Sequence, residues 1–150
     1  MIRVQREDFD TGAELDRLAA GDHGVGGVAS FIGVVRDRGG PEGVSALILE
    51  HYPGMTEKKL AEIEAEANRR WPLSASLIIH RYGRLEPGDR IVLVATASPH
   101  REAALAACHF LIDWLKTDAP FWKSEETPQG ERWVEARAED DEATRRWRGD

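Results

Sequence analysis

RIVLVATASPHREAALAACHFLIDWLKT, residues 90–117, carries the change of period on which the architecture turns. Arg90 to Ser98 is rich in Ile, Val and Ala and has the length of a buried strand. Ser98 is then placed to cap a helix with Pro99 at its first position, and Ala103, Ala104, Ala107, Leu111 and Leu115 mark a buried stripe that runs to about Thr117. Upstream, Ser76 to Tyr82 is a second Ile-rich strand, joined to the first through Leu85-Glu86-Pro87-Gly88-Asp89, whose Pro-Gly step signals a turn. Met55 to Arg70 follows the Pro53-Gly54 turn and places Leu60, Ile63 and Ala67 among Glu and Lys, which predicts a surface helix ended by Pro72.

Farther out, Gly24 to Val35 mixes Val, Phe and Ile with four glycines and reads as a buried strand passing close to other backbone. Val44 to His51 reads as another strand, and the two are expected to pair around a mobile loop, Arg36 to Gly43. Met1 to Val4 is a short strand, and Thr11 to Ala20 a short helix stopped by Gly21. Ala119 to Glu125 is a strand, followed by one more strand and a loosely ordered charged tail from about residue 138. Strand and helix blocks alternate irregularly, which favours an α+β or mixed α/β fold over a doubly wound sheet.

With 150 residues and 41% apolar content, the chain suits one domain spanning 1–150. A net charge of −7 excludes a general nucleic-acid binder, so any anion site is local. Neither a signal peptide nor an apolar run approaching the roughly 18 residues of a membrane span is read, so no membrane association is expected. The single cysteine, Cys108, makes no intrachain disulfide and no Cys/His cluster accompanies it. A reducing, cytoplasmic compartment and a fold without metal or cofactor are the expectation.

Basic residues stand out. His100 and Arg101 fall in the first turn of a helix, where the dipole and unpaired N–H groups already favour anions. Together with the helix terminus they can bind a phosphate or carboxylate, although a solvated arginine there costs only a few tenths of a kcal/mol. Lys116 lies at the other end of the same helix and Lys123 follows Ala119-Pro120-Phe121-Trp122. Were both amines to converge over a wall of Phe121 and Trp122, desolvation and mutual repulsion would lower the pKa of at least one, giving a nucleophile or base; the plain alternative is a pair of solvated lysines. Arg36 closes a strand and opens a glycine-rich loop, with Asp37 beside it as a partial neutraliser. His51, His80, His109 and Cys108 show no ligand or triad spacing and read as structural.

LEHYPGMTEKKLAEI (49–63), RWPL (70–73), HRYGRLEPGD (80–89), SPHREAA (98–104) and WLKTDAPFWKSEETPQGERWVEAR (114–137) occur in this order, and through them the chain, from about residue 24 to 147, resembles the large subunit of molybdopterin synthase. The resemblance implies an α/β hammerhead with an added antiparallel β-rich subdomain. It implies a sulfurtransferase of molybdenum cofactor biosynthesis that inserts two sulfurs into cyclic pyranopterin monophosphate, the sulfur arriving as a thiocarboxylate on the C-terminal glycine of a small ubiquitin-like partner. It further implies a homodimer of large subunits carrying a small subunit at each end. Lys116 and Lys123 match the family's catalytic pair, and Val34, Val35, Arg36, His100, Arg101, Lys123, Ser124 and Glu125 match positions lining the substrate site. Sixteen helical steps of about 1.5 Å put His100 and Lys116 roughly 24 Å apart. If both serve one substrate, His100 and Arg101 must come from a second copy, in an isologous dimer. A module that binds a tail or phosphorylated metabolite without chemistry, and a structural dimer without ligand, are the competing readings.

Overall fold

A computed structural model describes residues 1–37, 46–128, 130–134 and 138–148. Alternation along β6 (Arg90–Ser98) sends Val92 and Val94 to one face and Leu93 and Ala95 to the other, and all four are buried. A strand apolar on both faces needs covering on both. On one side α1 (Thr11–Ala19) supplies Leu15 and Leu18, which pack with Phe9 on Leu77, Ile79, Leu93 and Ala95. On the other side lie α2 (Met55–Arg70) and α3 (Arg101–Thr117), whose Leu60, Ile63, Ala67, Ala104, Phe110, Leu111 and Leu115 close over Ile78, Val92 and Val94.

The sheet between these layers has four strands in the order β1 (Ile2–Gln5), β4 (Ala75–Arg81), β6, β2 (Gly27–Val34). β1 runs parallel to β4, and the other neighbours are antiparallel. A second, wholly antiparallel sheet has the order β5 (Gly83–Leu85), β3 (Ala46–His51), β7 (Phe121–Thr127), β8 (Gly130–Val134). It packs around Val35, Leu49 and Leu85. The fold is therefore mixed α+β: a hammerhead-like layer of sheet and helices with an antiparallel β-rich addition.

Four expectations change. The strands read at 24–35 and 44–51 do not pair with each other: β2 bonds to β6, and β3 to β5 and β7, because β6, apolar on both faces, forms the centre of the first sheet and takes β2 as its neighbour. Residues 38–45, which include most of the expected loop, lie outside the described residues. Nor is β2 buried throughout. It is the sheet's edge, and Val28, Phe31, Ile32 and Val34 are 38–48% exposed. Ser98 remains in β6 rather than capping α3. His100 holds the N-cap position, its own N–H donating to Ser98 Oγ at 3.2 Å.

The fourth change concerns the charged C-terminal stretch, where Ala138–Arg148 form α4 in place of a loose tail. The reason lies in Trp147. Its ring meets Phe110 and Trp71 edge-on, with centroids 5.6 and 5.8 Å away, and its Nε1 donates to Asp113 Oδ2 at 2.6 Å. One amphipathic aromatic in contact with two others is enough to dock a polar helix. Trp147→Ala should lower unfolding free energy by about 2 kcal/mol, as a reduced urea midpoint at unchanged slope.

Candidate functional site

The register of the first sheet fixes which residues share an end of the molecule. Gly27 pairs with Ser98 and Val34 with Arg90, so β2 begins beside the start of α3 and finishes beside the start of β6. His80 pairs with Val92, two residues into β6. Because α3 runs back along the sheet, its last turn, with Lys116, arrives at the end where β4 and β2 finish. His100 and Arg101, both exposed, stay at the opposite end. The structure thus brings Arg36, Lys116 and Lys123 toward one end and keeps His100 and Arg101 a helix length away.

Each end is held by particular contacts. At the α3 N-terminus, Gly26 N–H donates to Ser98 O at 2.9 Å, and a Cβ on Gly26 would stand 2.1 Å from Pro99 O, so only glycine fits. At the other end, Thr56 on the first turn of α2 is fully buried; its Oγ1 donates to Pro120 O at 3.1 Å and accepts Tyr52 N–H at 2.9 Å. This ties down the short link between α3 and β7, and so the spacing of Lys116 from Lys123.

Lys116 and Lys123 line a small cavity of about 50 Å³ with His80, Ile91, Val92, Ile112, Leu115, Ala119 and Phe121. No carboxylate is among these lining residues. Lys116 is exposed and Lys123 half-buried. His80 is buried and stacks on Phe121, with centroids 3.7 Å apart and planes 17° from parallel. Burial, reinforced by the positive charge of Lys123 and Lys116, pushes the His80 pKa down to about 3, so the ring is neutral. The wall expected from Phe121 and Trp122 is half right. Strand alternation turns Trp122 outward, where it is 45% exposed and contacts Tyr52, and His80 takes its place.

The remaining expected residues divide. Val34 is an exposed strand end, whereas Val35 is buried and locked by backbone bonds to Asp89 and Gly88, both 2.8 Å. Arg36 is exposed. Glu125 lies two residues beyond Lys123, on the same face of β7, and is 3% exposed; Ser124 is also buried but faces the other way. His80, read from the sequence as structural, stands on the wall of this cavity. Cys108 is buried and its thiol is raised to about 11, which leaves it unreactive.

A larger concavity of about 520 Å³ sits at the β1 edge between α1 and α2. Its charges are matched internally: Arg3 and Arg17 bond Glu14, holding that carboxyl below its usual range, and the Met1 amine bonds Glu64. The lysine cavity, which gathers amines from α3 and β7 around a buried neutral imidazole, is the chemically active candidate.

Residues 4–118 match the MoaE protein family. The chain belongs to the MoaE family. Among its relatives, the molybdopterin synthase catalytic subunit of Ralstonia nicotianae is 59% identical over 146 residues, covering 97% of this chain and 83% of that protein. Among solved structures, the molybdopterin biosynthesis MoaE protein from Burkholderia ambifaria superposes with a TM-score of 0.86 at 54% identity, covering 100% and 99% of the two chains. A complex of subunits 1 and 2 of molybdopterin-converting factor from Helicobacter pylori shares the fold at TM-score 0.75 and 19% identity, over 91% of each chain. Among the described residues, no helix of this MoaE chain is long and apolar enough to cross a membrane.

Neutral burial of His80 has a measurable consequence. Its folded-state pKa lies below the ordinary 6.5, so the unfolded chain binds a proton that the folded chain refuses. Its share of stability is complete above pH 6.5 and is lost as pH falls toward 3. Asp8 and Glu66, both lowered to about 2, titrate only below the ordinary carboxylate range and leave the interval from pH 6.5 to 5 to His80. Urea unfolding should show stability falling by up to about 1.4 kcal/mol per pH unit in that interval, and His80→Phe should flatten the slope.

Proposed function

We propose that this chain is the catalytic subunit of a molybdopterin synthase: it takes sulfur from the C-terminal glycine thiocarboxylate of a small ubiquitin-like partner and inserts two sulfurs into cyclic pyranopterin monophosphate. The observation that carries this reading is that Lys116 of α3 and Lys123 of β7 line one cavity, together with His80 and Phe121. Lys116 is assigned the proton transfers during sulfur insertion and Lys123 the role of second proton-transfer group and electrostatic partner. Val34, Val35, Arg36, Ser124 and Glu125 belong to the substrate surround on this reading, with Arg36 contributing charge to the phosphate site. A cytoplasmic setting suits the free thiol of Cys108.

His100 and Arg101 join this site from a second copy. β2 is an exposed edge with four solvent-facing apolar side chains, a surface that calls for covering. Two copies meeting along β2 about a two-fold axis run antiparallel, which sets the Gly27 end of one, next to His100 and Arg101, beside the Val34 end of the other, next to Arg36 and the lysines. The small subunits occupy the two outer ends of such a heterotetramer, each feeding its tail to one cavity.

The decisive assay mixes this protein with a thiocarboxylated small subunit and the pterin precursor and detects the dithiolene product. Lys116→Ala should abolish product while the fold, by circular dichroism and melting, is kept; near-normal turnover rules the assignment out. Lys116→Arg separates catalysis from mere binding, because it keeps the charge and loses the amine: a binding module would be unaffected. Subunit sharing has its own test. Lys116→Ala and Arg101→Ala chains, each inactive alone, should recover about a quarter of wild-type activity when unfolded together and reassembled, since half the dimers are mixed and each holds one intact site. No recovery means that each site is built from one chain.

A further inference from the structure

We propose that His80 is a positioning residue of this site: in the assembled complex the bare Nε2 of its ring, which lines the same cavity as Lys123, accepts an N–H from that amine and aims it into the cavity. The inference rests on Lys116 and Lys123 being the reacting pair.

Two contacts fix the ring. Phe121 stacks flat against it, and its Nδ1 stands 2.8 Å from the Arg81 carbonyl oxygen. A carbonyl only accepts, so Nδ1 carries the hydrogen and Nε2 is left with a lone pair. Strand pairing on both sides, to Val4 of β1 and Val92 of β6, removes any freedom of the backbone to turn the ring away. Among the described residues that line the cavity, His80 offers the one side-chain acceptor.

The groups that face His80 explain why it serves in this way and not as a base. Lys123 comes from β7, Lys116 from α3, and His51 from β3, where its ring lies tilted against Tyr82. All three, when charged, oppose a proton on His80, and burial opposes it further. An imidazole that stays neutral orients an ammonium and a neutral amine alike, because each has an N–H to donate. A carboxylate in the same place would orient equally well but would hold the lysine protonated. Direction without charge is what a lysine needs if it is to give up its proton and return it within one cycle. Bonds that Lys123 makes elsewhere do not compete, since an ammonium has three donors.

The test uses the assembled complex with its small subunit. In protein labelled with 15N in its histidine rings, long-range 1H–15N spectra at pH 7 should show His80 as the neutral tautomer with hydrogen on Nδ1. An Nε2–H tautomer, or an imidazolium, overturns the proposal. In the sulfur-transfer assay, His80→Phe, which keeps the stack and removes both nitrogens, should lower kcat at least about tenfold with the KM for the pterin nearly unchanged. His80→Gln, whose side-chain oxygen reaches the place of Nε2, should recover most of that loss. A residue important only for packing would give the reverse order, with Phe better tolerated than Gln, and that order also overturns the proposal. If His80→Phe fails to fold, the spectra and the His80→Gln kinetics decide. Lys123→Ala run in parallel separates the two readings: wild-type kcat in His80→Phe with an inactive Lys123→Ala removes only the positioning role, whereas an active Lys123→Ala removes the catalytic pair and this inference with it.

Discussion

Everything functional in this molecule depends on α3 being clamped along the first sheet. Ala103, Ala104 and Ala107 let the helix backbone approach closely, Leu111 and Leu115 fill the space where the gap widens, and Thr96 Oγ1 donates to Ala104 O at 2.6 Å in a fully buried bond. Small residues at the crossing and larger ones beyond it set the angle as well as the distance. Once the helix lies along β6 and β2, its two ends cannot be moved independently. A phosphate-suited end and an amine-bearing end are held roughly 24 Å apart by the rise of a 17-residue helix.

That separation turns a matter of packing into one of assembly. A helix N-terminus carrying His100 and Arg101 attracts an anion, and the cavity of Lys116 and Lys123 has room only for the reacting part of a ligand. A pterin phosphate is far shorter than the helix. On the proposed reading a second chain brings the complementary end close, and a two-fold axis across the edge strand β2 would do so twice with a single interface. The exposed apolar side chains of β2 then have a reason to be exposed.

The sequence was most legible where one pattern dominated its surroundings. The strands at 75–81 and 90–98 show as Ile- and Val-rich runs, and the helices at 55–70 and 101–117 by their 3.6 period, each to within about two residues, because the apolar content of each segment matches the faces that it buries. Pairing was less legible. Which strand joins β2 depends on competition between whole hydrophobic faces, and proximity in sequence pointed to β3. α4 was missed because a single tryptophan in a charged stretch carries little periodic signal, and its docking partners, Trp71 and Phe110, are distant in sequence. At the site, the lysines and arginines stand out in the sequence as cations in unexpected places, whereas a histidine such as His80 is informative only once its neighbours are known.

The exposure of Lys116 sharpens what the partners must contribute. Lys116 meets solvent on one side of the cavity, and water there favours the charged ammonium. The missing element is removal of water. An extended tail laid into the cavity would cover Lys116 from outside, while the second copy closes the flank along β2, so that the same events that deliver sulfur and phosphate-binding groups also desolvate the amine. Activation would then be withheld from the isolated chain and granted only to the loaded assembly, which protects a reactive amine from adventitious electrophiles until both substrates are in place.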